Sequence, residues 1–279
     1  MCDAACLSEP VRLQRAVGEL RVGVKRYEDQ TVLEDLRQAG CLKARFPRRV
    51  VSGWMDVVTL NTGGGVAAGD RLDVAVSAGA GARVTVSAQA AERFYRAMPQ
   101  DAPSRVRTAL MLAPGAALEW LPQETILFDH CALDRRLEID MPADARFLGV
   151  ETLVFGRAAM GETLRQARLR DLIQVRRDGN LLLHDAVRMD GPVDALLQRA
   201  AIGQGARALA TLVYVALEAE ALLDPVRKAL GPAEAGVSAW NGMLVARILG
   251  PDSASVRRSV IAALDELRES RPLPRVWLC

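Results

Sequence analysis

Apolar and polar residues alternate along much of the first two thirds of the chain. The alternation recurs in residues 20–24, 72–76, 83–87, 106–112 and 118–120. A period of two places successive side chains on opposite faces of a strand, so that one face is buried and the other contacts water. The pattern therefore predicts a mainly β body over residues 1–190.

Two longer apolar runs, residues 164–176 and 181–189, flank an Arg-Asp-Gly-Asn sequence that contains Asp178 and Gly179. Asp-Gly between two apolar runs favours a type I′ turn, because both central residues of that turn need a positive φ. These runs therefore predict a β-hairpin.

A short pattern of small residues at the start of a strand occurs three times. Residues 79–84, 114–119 and 142–147 share it, at offsets of 35 and 28 residues. Unequal offsets argue against a regular solenoid, and they fit stacked coils of strands joined by loops of varying length. Turns rich in Gly, Ala and Pro also recur in any β protein, so the pattern leaves both interpretations open.

The pattern changes near residue 190. Residues 211–215 and 240–249 predict buried strands, and residues 219–230 predict a helix that ends at Gly231. Residues 253–270 carry an apolar stripe at helical spacing, with Asp252 or Ser253 as the N-cap. Residues 275–278 predict a last strand.

These elements predict a smaller C-terminal α/β portion over residues 191–279 that contains two helices. The portion packs on the β-rich body, or the two parts form one continuous domain.

Charge and composition exclude several classes of protein. The 279 residues carry a net charge of +2, and 4% of them are aromatic, which argues against a nucleic-acid binder. No apolar run approaches the ~18–20 residues of a membrane span. Met1–Pro10 lacks the features of a signal peptide, and five scattered cysteines indicate reduced thiols. We therefore expect a cytoplasmic protein.

Four glycines occur within residues 63–69, directly before Asp70. A phosphate-binding loop would end in Gly-Lys-Ser/Thr and lead into a helix, whereas here the alternation of a strand follows. The glycines instead predict a tight turn with backbone conformations that other residues avoid. Asp70 then lies at the entrance of a strand, where a carboxylate serves as a turn cap or as a metal ligand.

Possible metal ligands are also dense in residues 124–131. Glu124, Asp129, His130 and Cys131 are ligand types that suit a borderline divalent metal. Neighbouring strand residues point to opposite faces, so His130 and Cys131 are not expected to share an ion. With His184 as the one other histidine, a closed four-ligand site is not indicated, and weak, carboxylate-rich, transient binding remains open.

The charged residues of 89–96 allow two interpretations. Glu92 and Arg96 have the spacing of an ion pair across one helical turn. Arg93 and Arg96 alternatively flank a surface for a partner, but a solvated charge cluster without a specific role is the favoured interpretation.

Enzymatic chemistry finds little support. Glu138 and Asp140 share a strand face, and Glu151 and Glu162 bracket an apolar stretch, so paired carboxylates of a glycosidase are conceivable. No Gly-x-Ser-x-Gly motif of a serine hydrolase is present.

Several segments together resemble one family, the UreD (UreH) family of urease accessory proteins. The Asn-Thr-Gly-Gly-Gly run that leads to Asp70 and the Leu-Glu-Trp-Leu-Pro-Gln-Glu run are similar to its motifs. Further matching segments follow in family order, and the resemblance covers about residues 35 to 279. The segments are residues 61–73, 89–96, 118–126, 145–151, 155–157, 161–162, 240–247 and 274–277.

The resemblance implies an irregular, β-helix-like stack of strands with helices near the C-terminal end. It implies a non-catalytic protein without a permanently bound cofactor, which binds the urease apoprotein and UreF, and through UreF the GTPase UreG. Nickel in transit would pass through this complex, with internal tunnels as a proposed path. Carried over to this chain, the candidate acids for guiding nickel are Asp70, Glu124 and Glu151, to which we add Asp129.

Two alternatives stay open. The protein is a purely structural adaptor without metal transit, or it is a β-helical carbohydrate-active enzyme.

Overall fold

The computed structural model describes residues 14–48 and 50–278. Met1–Pro10, for which no signal peptide is predicted, lies outside the described residues, as do Cys2, Cys6 and Cys279. The described residues form 17 strands and three α-helices. The first nine strands are β1 (Val17–Tyr27), β2 (Gln30–Gly40), β3 (Leu42–Arg45), β4 (Trp54–Asn61), β5 (Arg71–Ala78), β6 (Arg83–Ala88), β7 (Glu92–Phe94), β8 (Ser104–Leu112) and β9 (Ala117–Leu121).

The remaining strands and the helices follow in the second half of the chain. The strands are β10 (Thr125–Leu127), β11 (Ala132–Met141), β12 (Arg146–Phe155), β13 (Gln166–Arg177), β14 (Asn180–Pro192), β15 (Ala208–Val215), β16 (Glu234–Trp240) and β17 (Met243–Gly250). The helices are α1 (Val193–Leu197), α2 (Leu223–Leu230) and α3 (Ser253–Leu267). The mainly β fold with a few helices confirms the predicted fold class.

The strands form two sheets between which the chain passes back and forth. Sheet A has seven strands in the order β14-β13-β11-β8-β5-β1-β2. Sheet B has ten strands, with β4, β6, β9 and β12 side by side and parallel. From β4 to β13 each coil places one strand in each sheet, while β7, β10 and the end of β12 form a short third side. This arrangement confirms the predicted β-helix-like stack.

The three similar turns in the sequence open strands of successive coils. Arg83 pairs with Ala117, and Ala117 pairs with Arg146. The separation between Arg83 and Ala117 is one residue shorter than the offset of 35 in the sequence pattern. The separation between Ala117 and Arg146 is one residue longer than the offset of 28. A shift of one residue exchanges the two faces of a strand, so buried apolar side chains, rather than the small turn residues, set the register.

Two apolar cores lie on either side of sheet B. Leu118 and Trp120 of β9 point into the core between the two sheets. Leu121 and Leu148 belong to a second core, which the outer face of sheet B shares with α2 and α3. The molecule therefore has three layers, namely sheet A, sheet B and the helices.

The C-terminal portion continues sheet B. Strand β15 pairs antiparallel with β12, with Phe147 opposite Val215, and β17 and β16 follow. The sequence boundary at residues 190 and 191 lies within β14. The portion contains α1 in addition to the two predicted helices, and Asp252 caps α3 by accepting a hydrogen bond from Ser255 N at 2.7 Å.

Two local predictions need correction. Residues 275–278 are not a strand, because Arg275–Trp277 form a 3-10 helix that buries Trp277 and directs its Nε1 to Leu121 O at 3.0 Å. The predicted strand 240–249 is interrupted by a turn at Asn241 and Gly242, which have φ values of 51° and 68°. Such an Asn-Gly turn joins β16 to β17 as a hairpin.

The hairpin predicted from the apolar runs of residues 164–176 and 181–189 is confirmed. Asp178 and Gly179 have φ values of 51° and 75°, and β13 and β14 pair antiparallel on either side.

Candidate functional site

A cavity of about 220 Å³ lies between sheets A and B, and its lining includes the exposed residues Gly64 and Arg93. Its lining spans several coils, from Asn61 and Glu92 to Arg135 and Glu151. Apolar residues such as Leu72, Val106 and Trp120 make up much of the wall. The cavity therefore combines an apolar wall with a few polar groups from all three sides of the coil, which is typical of a binding site or passage.

Glu92 is half-buried and lines the cavity at the glycine-rich turn. Asn61 Nδ2 donates a hydrogen bond to Glu92 Oε2 at 3.1 Å. Burial raises the pKa of the Glu92 carboxyl, and the hydrogen bond from Asn61 opposes that shift. The predicted helical ion pair with Arg96 is wrong, because Glu92 lies in strand β7. The alternation that places Glu92 on the same face as buried Phe94 is the sequence signal for its inward direction.

Glu151 lines the cavity from sheet B and is 7% exposed. Trp120 Nε1 donates to its Oε1 at 2.8 Å, and Arg135 Nη1 lies 2.6 Å from its Oε2. Burial raises the pKa of the Glu151 carboxyl, and the Arg135 guanidinium opposes that shift. Both carboxylate oxygens are thus already bound inside the coil.

Arg135 is the centre of a buried network that joins the three sides of the coil. Its Nε and Nη2 donate to the two oxygens of Asp171 at 2.8 and 2.6 Å, and its Nη1 donates to Thr125 Oγ1 at 2.8 Å. The two carboxylates raise the pKa of the guanidinium although burial acts in the opposite direction. A second cation that reaches Glu151 must therefore compete with Arg135.

Sequence reasoning did not identify Arg135. The available signal is its position in β11, where the alternation puts it on the same face as Leu133 and Leu137. An arginine on a buried face needs carboxylate partners, because an unpaired buried charge is strongly unfavourable.

Asp70 has the geometry of the predicted turn cap. Its Oδ1 accepts a hydrogen bond from Ala16 N and its Oδ2 accepts one from Ala67 N, both at 2.8 Å. The side chain is buried, and these bonds tie the glycine-rich turn to the residue before β1. A metal ion at Asp70 would have to share the carboxylate with these two backbone donors.

Glu124 contacts the C-terminal helix. Arg257 Nη1 of α3 donates to Glu124 Oε1 at 2.8 Å and to Gln123 Oε1 at 2.8 Å. The Arg257 guanidinium also lies over the Trp277 ring, 4.8 Å from its centroid. Glu124 therefore helps to fasten α3 to the β body.

Asp129 accepts hydrogen bonds from Arg165 N at 2.9 Å and Gln166 N at 3.0 Å, and Arg165 Nη2 lies 2.9 Å from its Oδ2. Burial by itself raises the pKa of Asp129, but these donors together hold it below its usual value. Asp129 is therefore a charged anchor at the start of β13.

His130 and Cys131 differ from the strand geometry that the sequence predicts. His130 lies in a turn with a φ of 64°, and its Nε2 is 3.6 Å from Asp129 Oδ2. Cys131 is buried, which raises the pKa of its thiol to about 12. A thiol that stays protonated is a poor metal ligand.

The four predicted acids do not converge. Among residues 14–48 and 50–278, no group of three or more His, Cys, Asp or Glu side chains is placed to hold a metal ion. Glu151 alone of the four lines the cavity. Within the same ranges, none of the helices has both the length and the apolarity for crossing a bilayer.

The fold and this cavity define an irregular β-helix-like protein with carboxylates in the lining of its cavity. A family described as UreD urease accessory protein matches residues 16–278. The chain therefore belongs to the UreD family of urease accessory proteins.

Individual relatives match over nearly their whole length. The urease accessory protein UreD of Azorhizobium caulinodans is 46% identical over 268 residues, which cover 95% of this chain and 97% of the relative. UreD of Xanthobacter autotrophicus is 47% identical over 277 residues, with 99% and 94% covered. UreD of Dinoroseobacter shibae is 47% identical, with 99% and 96% covered. These relatives are named as accessory proteins and not as enzymes, and the family has a role in urease maturation.

Proposed function

We propose that this protein is a non-catalytic maturation factor that binds apo-urease and UreF, with UreG recruited through UreF, and assists nickel delivery to the urease active site in the cytoplasm. The observation that carries the proposal is the cavity between sheets A and B, with Glu92 and Glu151 in its lining. Family membership supports the link to urease.

The donor set of the cavity suits a metal ion in transit. Carboxylate and amide oxygens from Glu92, Glu151 and Asn61 are weaker ligands for a borderline metal than a set of histidines and thiolates. An ion in a passage must bind well enough to enter and weakly enough to leave. At Glu151 the ion must also replace the Arg135 guanidinium, so we propose that passage requires a movement of Arg135.

A structural adaptor remains the second candidate. Asp70, Glu124 and Asp129 are each bound to backbone donors or arginines of the same chain. If nickel travels outside this protein, these acids serve the fold alone. Our prediction that they guide nickel therefore depends on their release from these partners in the assembled complex.

A matched pair of variants separates the two candidates. Glu151→Gln and Asp171→Asn each remove a carboxylate from Arg135, but Glu151 lines the cavity and Asp171 is not among its lining residues. Each variant is assembled with UreF, UreG and apo-urease in the presence of nickel, and the nickel content of the purified urease is measured by mass spectrometry. We expect the complex to assemble with both variants and the nickel content of urease to be lowered with Glu151→Gln. Asp70→Ala should lower it as well.

Equal nickel content with wild type, Glu151→Gln, Asp70→Ala and their double variant would support the adaptor instead. Failure of the wild-type protein to co-purify with apo-urease and UreF would contradict the proposed function as a whole.

A further inference from the structure

Four exposed arginines form a row across the outer face of sheet A. This arginine row consists of Arg71, Arg105, Arg170 and Arg188 on β5, β8, β13 and β14. Arg71 lies directly beside Arg105, and Arg170 lies directly opposite Arg188. With β11 in the middle, the row crosses five neighbouring strands and spans ~19 Å at the usual strand spacing.

The row has no partner within the described part of the chain. None of its four side chains makes an ion pair or a hydrogen bond there. Asp134, which lies between Arg105 and Arg170 in the register, is bound by Arg107 at 2.8 Å.

Two other arginines of the same sheet are paired within the chain. Arg21 and Arg37 both pair with Glu19, at 2.8 and 2.9 Å. Like charges directly opposite each other on neighbouring strands destabilise a sheet. The arginine row is therefore a positive strip whose four guanidiniums make no ion pair within the described residues.

We infer that the arginine row is a docking surface for an acidic patch of apo-urease. The inference rests on the proposed function, since urease is the protein to which the names of the relatives point. A guanidinium binds a carboxylate through two parallel hydrogen bonds, which fixes both position and direction. Arginines spaced by the strands of a rigid sheet present such contacts in a fixed pattern.

A protein partner fits the row better than a phosphate polymer or a lipid surface. The whole chain has a net charge of +2, and Asp134 interrupts the row, whereas nucleic-acid binders have a broad basic face. The residues between the arginines in the register offer no aromatic ring on which a base could stack.

Charge reversal at one member of each pair tests the inference without endangering the fold. Arg71→Glu and Arg188→Glu each place a carboxylate beside a retained arginine, Arg105 or Arg170, so the double variant should melt at or above the temperature of the wild type. Arg199→Glu/Arg258→Glu is the matched control, because it makes the same change in charge at exposed positions of the C-terminal portion.

Binding of each protein to immobilised apo-urease is measured by biolayer interferometry at low and at high salt. For Arg71→Glu/Arg188→Glu we expect an affinity loss of about tenfold or more at low salt, mainly through slower association, and a smaller loss at high salt. The control variant should bind like the wild type.

Wild-type affinity of the reversed variant for apo-urease would overturn the inference. The inference would also be overturned if the reversed variant lost affinity for duplex DNA or for phosphatidylserine vesicles but kept its affinity for apo-urease. Absence of binding by the wild-type protein would contradict the proposed function instead.

Discussion

Arg268, just after α3, forms a buried ion pair with Glu119 of strand β9. Arg268 Nη2 lies 3.1 Å from Glu119 Oε2, and both side chains are 3% exposed. Thr85 Oγ1 donates to the same carboxylate at 2.7 Å, and Arg271 adds a second guanidinium that also lies over the Trp54 ring. The pair fixes the end of the helical layer to the outer face of sheet B.

We predict that Glu119→Gln strongly destabilises the protein. Removal of one partner of a buried pair leaves the other charge uncompensated and costs about 3–5 kcal/mol. The free energy of unfolding is measured by urea denaturation. Glu218→Gln is the control, because Glu218 pairs with Arg146 at 2.7 Å with 42% and 38% of the side chains exposed, and such a pair contributes about 1 kcal/mol or less. Equal effects of the two changes would show that burial does not distinguish these pairs.

Asp129→Asn should destabilise the protein in a pH-dependent manner. The pKa of Asp129 is lowered in the folded state, so its ionised form stabilises the fold above the ordinary value of 3.8, and this contribution disappears as the pH falls through the folded-state pKa. At neutral pH we expect a loss of about 1.5–3 kcal/mol, the range for hydrogen bonds to a charged group. Denaturation at several pH values checks this, and a difference between wild type and variant that does not shrink in acid would contradict it.

Glu92→Gln should stabilise the protein at neutral pH, in contrast to Asp129→Asn. The pKa of Glu92 is raised in the folded state, so the wild type loses stability as the pH rises from the ordinary value of 4.5 through the folded-state pKa. A neutral glutamine avoids that loss and still accepts a hydrogen bond from Asn61. The variant should therefore unfold at higher denaturant concentration than the wild type at pH 7 and at a similar concentration below pH 4.5. A variant that is less stable at pH 7 would contradict the assignment.

Gly65→Ala should disturb the glycine-rich turn more than Gly64→Ala. Gly65 has a φ of 145°, and an added Cβ would lie 2.5 Å from Tyr95 Cε2. Gly64 has a φ of 74°, and its added Cβ would meet no atom within 4 Å. We expect a loss of about 1–2 kcal/mol for Gly64→Ala, from backbone strain alone, and about 3 kcal/mol or more for Gly65→Ala. Thermal denaturation of both variants checks this order, and the reverse order would contradict the predicted clash.

Much of the fold was accessible from local patterns. The alternation at residues 72–76 and 83–87 predicted β5 and β6, and the Asp178-Gly179 turn predicted the hairpin of β13 and β14. Local signals failed where a long-range contact decides the conformation. Residues 275–277 have the composition of a strand, but burial of Trp277 against Leu121 holds them in a 3-10 turn.

The candidate site was less accessible. Asp70 appeared as a turn cap or a ligand, and the backbone donors of Ala16 and Ala67 show the cap geometry. Glu124 and Asp129 were recognised as acids in a dense segment, but their arginine partners lie far away in the chain, at positions 257 and 165. The internal position of Glu92 and the role of Arg135 were missed, because one sequence does not show which inward-facing polar residues meet.

The sequence by itself determined the mainly β architecture, the turns at glycine and the membership in the UreD family, because periodicity, turn chemistry and ordered motifs are local properties of the chain. The tertiary structure alone decided the register of the coils, the Arg135 network inside the cavity and the alignment of the arginine row. Each of these depends on residues about 10 to 36 positions apart that meet only when neighbouring strands pair or pack.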